Sequence, residues 1–256
     1  MDTAPFNALS TGTRSQGDPL ALDVGDWALL GASERSRRFE QELSRKGVCF
    51  GRAAALASKR LIDVVGSLAS LILLTPLLLA VAVAIRLDSP GPVLFRQRRL
   101  GRLGKAFWIY KFRTMRTDAE ARLGDLETRN EAAEGVLFKM SNDPRVTRIG
   151  QFLRRSNVDE LPQLWNVVRG EMSLVGPRPF QLRDCERLKA VDGNAFMRRL
   201  EFPPGLTGAW QVGRSSPTDS ERLLELDLQY VDHWSLALDL TLICKTVRLL
   251  LRNLVD

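Results

Sequence analysis

Hydrophobic positions along the chain follow three spacings. From Val64 to Ile85 no residue carries a charge, a run of 22 that is long enough to cross a bilayer as a helix. Leu73-Leu74-Thr75-Pro76-Leu77 places a proline near its centre, which removes a backbone donor and crowds the preceding turn, so a bend is expected at Thr75-Pro76. Two forms fit: a spanning helix that tolerates its proline, and a helix-break-helix that enters and leaves the same leaflet. Past the turn Asp88-Ser89-Pro90-Gly91-Pro92, short apolar stretches at Val93–Phe95 and Phe107–Tyr110, joined by the glycine-containing link Leu100–Lys105, predict a small β-hairpin. Helical spacing returns at Ile149–Arg155, then at Leu161, Leu164, Trp165 and Val168. Thr117 to Ala133 alternates acid, base and alanine as a solvated helix does. Ser235–Leu254 is leucine-rich with Lys245, Arg248 and Arg252 on one side, which suits a core helix or one lying in the headgroup layer. Residues 1–57 show little periodicity and read as a mobile extension, with Arg35 to Arg52 a charged stretch.

Charge changes this picture more than composition does. Hydrophobic content of 45% is ordinary, but the net charge of +7 calls for an anionic partner: nucleic acid, anionic lipid or a phosphorylated substrate. Arginines and lysines crowd both flanks of the apolar run, Lys59 and Arg60 before it and Arg86, Arg96, Arg98 and Arg99 after it. A spanning helix would send one cluster outside against the positive-inside bias, whereas a re-entrant helix keeps both in the cytoplasm. Cys49, Cys185 and Cys244 lack paired spacing for zinc or redox chemistry, which argues against a disulfide framework. The apolar run begins too deep for a cleaved signal peptide.

The chemistry concentrates in Arg154-Arg155-Ser156-Asn157-Val158-Asp159-Glu160-Leu161-Pro162-Gln163. Asp159 and Glu160 stand at the start of the predicted amphipathic helix. Asn157 with Glu160 reads as a capping box, or Pro162 in the first turn makes Asp159 itself the cap and leaves Glu160 without a capping role; acids there stabilise a helix without further function. A helix N-terminus preceded by two arginines is equally a phosphate site, and a carboxylate beside it can attack phosphorus. Val175-Gly176-Pro177-Arg178-Pro179 holds Arg178 in a rigid turn, and the glycine-punctuated stretch Pro204 to Arg214 ends in another arginine. Lys111 and Arg113 add two cations after the hairpin; a polyanionic substrate needs several to offset charge developing at phosphorus.

From Lys59 to the C-terminus these segments resemble the bacterial monotopic polyprenyl-phosphate sugar-1-phosphate transferases. The likeness is carried in order by Lys59-Arg60-Leu61-Ile62-Asp63, the proline-broken apolar run, Tyr110–Met115, Asp143–Thr147, Asp159–Gln163, Asn166-Val167, Gly170–Ser173, Gly176–Pro179 and Pro204–Gly208. The resemblance implies a mostly helical α+β fold: a re-entrant helix over 58–87, broken at Thr75-Pro76, and a cytoplasmic lobe over 88–256 at the bacterial inner membrane. It implies transfer of a sugar 1-phosphate, hexose-type by the wording of the motifs, from a UDP-sugar to undecaprenyl phosphate. The lipid-linked product would pass to downstream glycosyltransferases. By the same likeness Asp159 is the nucleophile and Glu160 a Mg²⁺ ligand. Arg154, Arg178 and Arg214 hold phosphate or nucleotide, with Lys111 and Arg113 in support, and Asp227 fills an acidic position of unassigned role. Two departures stand out: Asn157 replaces the usual serine, and the loop before Arg214 is one residue shorter. The competing class is a noncatalytic membrane-anchored module or scaffold binding lipid or nucleic acid, but no nucleic-acid motif is recognisable.

Overall fold

In the computed structural model the described residues are 49–119, 121–122, 140, 143–213 and 220–255. Most of the expected helix over Thr117–Ala133, Arg214 and most of the N-terminal extension lie outside them, and the described residues of that expected helix, 117–119 and 121–122, form turns. The first element, α1 (Cys49–Asp88), is one hydrogen-bonded helix of 40 residues, so helix starts nine residues before the expected 58. It continues through Pro76, where Thr75 Oγ1 donates to Leu71 O at 2.7 Å. It is long and apolar enough to cross a membrane, and only 11% of its most apolar window is buried.

Both ends of α1 dock on one lobe. At the first end Lys59, Asp63 and Ser67, spaced four apart, are buried. Lys59 Nζ reaches Asp239 Oδ2 at 2.8 Å and Val175 O at 3.0 Å, and Asp63 Oδ1 accepts the Leu174 N–H. At the second end Val81 and Ile85 pack with Phe112 and Leu153, and Asp88 accepts from Ile149 N. From Leu68 to Ala80 no residue is buried.

The predicted hairpin is present. β1 (Leu94–Leu100) pairs antiparallel with β2 (Ala106–Phe112), Arg99 opposite Phe107 and Phe95 opposite Lys111. The strands run further than their apolar cores, so the basic tract Arg96–Arg99 is strand. Helix α2 (Arg148–Ser156) starts at Thr147, whose hydroxyl caps Gly150 N, and a 3₁₀ helix (Val158–Gln163) then leads into α3 (Leu164–Arg169). The buried face of α3 is Leu164, Asn166 and Val167, while Trp165 is 49% exposed, so the expected apolar stripe is not the packed one. Asn166 explains the shift: its amide donates to Trp108 O and Glu171 Oε2 and accepts from Tyr110 N, tying α3 to β2.

A second, parallel pair that the turn-rich sequence hid joins β3 (Ser173–Val175) to β4 (Gly205–Thr207). A Cβ on Gly205 would sit 2.1 Å from Gly176 N, so only glycine permits the approach. Between them lie α4 (Leu182–Val191) and α5 (Gly193–Arg199), followed by α6 (Ala209–Val212), α7 (Ser220–Asp232) and α8 (Leu236–Val255). The largest core cluster gathers Phe180, Cys185, Leu188, Phe196, Trp210 and Leu224. α8 buries Leu242 against Tyr230 and Phe202, and leaves Leu240, Val247 and Leu251 exposed beside its basic side chains.

Candidate active site

The segment that precedes the acidic pair turns on Asn157. It sits in the left-handed region at φ 57°, closing α2 and opening the 3₁₀ helix, with no side-chain cap bond. Asparagine adopts that region more readily than most non-glycine residues. Neither expected cap forms. The capping box is absent, and Asp159 lies inside the 3₁₀ helix rather than ahead of an α-helix. Both carboxylates lie in the first turn of that 3₁₀ helix.

A 3₁₀ helix has three residues per turn, so side chains three apart eclipse and neighbours diverge. Glu160 and Gln163 accordingly share a face that lines a small cleft, together with Arg99, Lys111, Arg178 and Trp210. Asp159 points away from that face and is 9% exposed. Lys111 Nζ contacts Glu160 Oε1 at 2.5 Å.

The two carboxyls are electrostatically unlike. Burial pushes Asp159 up to about 6; Lys111 and Arg154 pull against that shift and Glu160 adds to it. Burial also opposes ionisation of Glu160, but Lys111, Arg178 and Arg99 outweigh it and hold this carboxyl below its usual range. Arg154 donates Nε to Thr114 Oγ1 at 2.9 Å, which keeps it beside Asp159 without a direct ion pair.

Arg178 is braced from two sides. Its guanidinium lies 4.3 Å from the Trp210 ring centroid, and its carbonyl accepts from Arg199, which also pairs with Asp227 at 2.8 Å and stacks on Phe180. Asp227 is 1% exposed behind this arrangement, so it supports Arg178 rather than facing the cleft. Arg113 is also placed elsewhere: its guanidinium donates to Ser89 O, Ser89 Oγ and Pro90 O, stapling the turn after α1. Thr75 and Pro76 stay within α1.

The structure thus gathers Asp159, Glu160, Lys111, Arg154 and Arg178, and adds Arg99, Gln163, Trp210 and Arg199. Arg99 was accessible from the hairpin: Ile109 and Lys111 alternate onto one face with Phe107, and Arg99 pairs opposite Phe107. The described residues contain no group of three or more His, Cys, Asp or Glu side chains able to cage an ion. Glu160 is the one carboxylate that lines the cleft, paired there with Lys111, and a single carboxylate of this kind could hold a hydrated Mg²⁺.

Residues 54–253 match the family described as bacterial sugar transferase. The exopolysaccharide production protein PSS of Rhizobium leguminosarum bv. phaseoli is 45% identical over 199 residues, covering 75% of this chain and 94% of the relative. The galactosyl transferase CpsE of Streptococcus agalactiae serotype III is 40% identical, over 79% of this chain and 44% of its own length. The UDP-glucose:undecaprenyl-phosphate glucose-1-phosphate transferase of Escherichia coli is 39% identical, over 74% of this chain and 39% of its own. The chain therefore spans less than half of the latter two and nearly all of the first.

Proposed function

The chain belongs to the bacterial sugar transferase family, and from that premise we propose that it moves a hexose 1-phosphate from a UDP-sugar onto undecaprenyl phosphate, with Asp159 as nucleophile. The observation that carries this reading is the divergent pair: one carboxyl raised by burial beside Arg154, its neighbour held ionised among Lys111, Arg178 and Arg99.

In the first step an Asp159 oxygen attacks the sugar-proximal phosphorus. An acyl phosphate bond forms, the phosphoanhydride bond breaks, and UMP leaves with the bonding pair. In the second, a phosphate oxygen of undecaprenyl phosphate attacks the same phosphorus, the acyl phosphate bond breaks and the Asp159 carboxylate is regenerated. Arg178 and Lys111 offset charge on the phosphoryl oxygens, and Lys111, helped by Arg154, favours the ionised form of Asp159 against its burial. Glu160 would hold Mg²⁺, which supplies charge neutralisation on the diphosphate. The relatives' names, glucose and galactose transferases, support a hexose.

The lipid acceptor calls for a membrane site, and the docking of α1 supports a helix held on one face of the membrane rather than a spanning one, without the break expected at Thr75-Pro76, since α1 runs through Pro76. Between its buried docking points at Ser67 and Val81 the helix rises only about 21 Å, short of the roughly 30 Å hydrocarbon core. A spanning helix would separate those points across the bilayer, yet both pack on one lobe.

The test is to incubate membranes containing the protein with radiolabelled UDP-glucose or UDP-galactose, Mg²⁺ and undecaprenyl phosphate. Wild type is expected to release UMP and form labelled lipid, and Asp159→Asn to do neither. Turnover surviving in Asp159→Asn removes it as nucleophile; no turnover with any sugar favours the noncatalytic scaffold.

A further inference from the structure

Gln163 is a costly residue for a site that has no use for it. Its side chain is 2% exposed and lines the cleft, yet its Nε2 has no hydrogen-bond partner among the described residues. A buried amide N–H left unpaired costs about 1–3 kcal/mol, so natural structures rarely keep one without a compensating role. Arg99 repeats the pattern on the hairpin wall: Nη1 donates to Pro179 O, while Nε is buried and unpartnered.

The surroundings select the ligand. Arg99, Lys111 and Arg178 set three cations against the single carboxylate Glu160 around the cleft. A neutral donor placed among cations adds direction to a field that already favours an anion. A carbonyl or sugar hydroxyl would satisfy the amide, but would leave the excess of positive charge unmatched.

Resting on the proposed function, we propose that Gln163, with Arg99 beside it, is a ligand-binding residue that donates its side-chain amide to a phosphoryl oxygen in the cleft. The 3₁₀ geometry makes this economical. Glu160 and Gln163 eclipse, so one short helix presents a carboxylate and an amide donor to the same cleft.

The test uses the full chain in detergent and measures affinity for inorganic diphosphate and for UDP-glucose, with Mg²⁺, by ligand-induced thermal stabilisation and by titration. Gln163→Leu removes the unpaired donor while filling the same space. Its melting temperature without ligand is expected to equal or exceed that of wild type, because no hydrogen bond is lost. Its affinity for both probes is expected to fall about tenfold or more, as for loss of a bond to a charged group. Gln163→Glu, close in shape, should bind both more weakly still through repulsion, and decides the matter if the leucine variant does not fold. Undiminished diphosphate affinity in a folded variant overturns the proposal, as does a wild type that binds no diphosphate. Diphosphate binding through Gln163 in a protein that makes no lipid-linked product would sink the transferase reading and leave this one standing.

Discussion

At the scale of single residues, the difference between Asp159 and Glu160 sets a pH dependence. In the proposed mechanism attack on phosphorus needs the Asp159 carboxylate, and burial raises its pKa to about 6. The folded value lies above the ordinary one, so the reactive form is present above pH 6 and is lost as pH falls through it. kcat/KM, which reports the free enzyme, is therefore expected to drop about tenfold per unit below pH 6. Lys111 pulls Asp159 downward, so Lys111→Met should move that acid limb to higher pH as well as lower the rate. A pH–rate profile of the two proteins reads both; a limb that stays put in Lys111→Met would separate Lys111 from Asp159.

At the scale of elements, what the sequence made legible was local: the hairpin, the helix α2 and the C-terminal helix each arise from spacing over a few neighbours. The cap at Asp159 was misread because propensity alone does not distinguish an α-helical first turn from a 3₁₀ turn entered through a left-handed Asn157. The role of Asp227 was hidden because its partner Arg199 lies 28 positions away in the chain, and Arg113 looked like a ligand group because its acceptors are backbone carbonyls. Long-range pairings also decide how α1 is held. Arg60 donates to Val167 O and Val168 O, filling the open carbonyls at the end of α3. Lys59 enters a buried cluster in which Asp239 also accepts from Tyr230 and Trp234. Replacing Lys59 by Met leaves Asp239 without its cation, and a broken buried pair costs about 3–5 kcal/mol. Denaturant unfolding in detergent should show that loss, and the double change Lys59→Met with Asp239→Leu should recover part of it. A loss under about 1 kcal/mol would mean that this cluster does not fasten α1 to the lobe.

At the scale of the whole molecule, the questions are how deep α1 enters the bilayer and which side its ends face. The charge pattern and the packing answer independently. Basic residues flank the apolar run on both sides, which favours one cytoplasmic face for both flanks. Packing then limits depth, because Leu68–Ala80 is the only part of α1 between the two docked ends without a buried residue, and about twenty apolar residues are needed to span. Pro76 falls inside that exposed stretch, where it removes a backbone donor from a helix that continues through it, and Thr75 donates back to Leu71 O. Leu240 of α8 lines a pocket with Lys59 and Ile62 near the start of α1, and Val247 and Leu251 are exposed further along α8. Single cysteines introduced at Ala57 and Leu87 bracket the segment outside its docked core. In intact cells neither should react with a membrane-impermeant maleimide, and both should react once the cells are opened. Labelling of either position from outside would mean that α1 crosses the bilayer, and the two docking points on the lobe would then have to separate in the membrane.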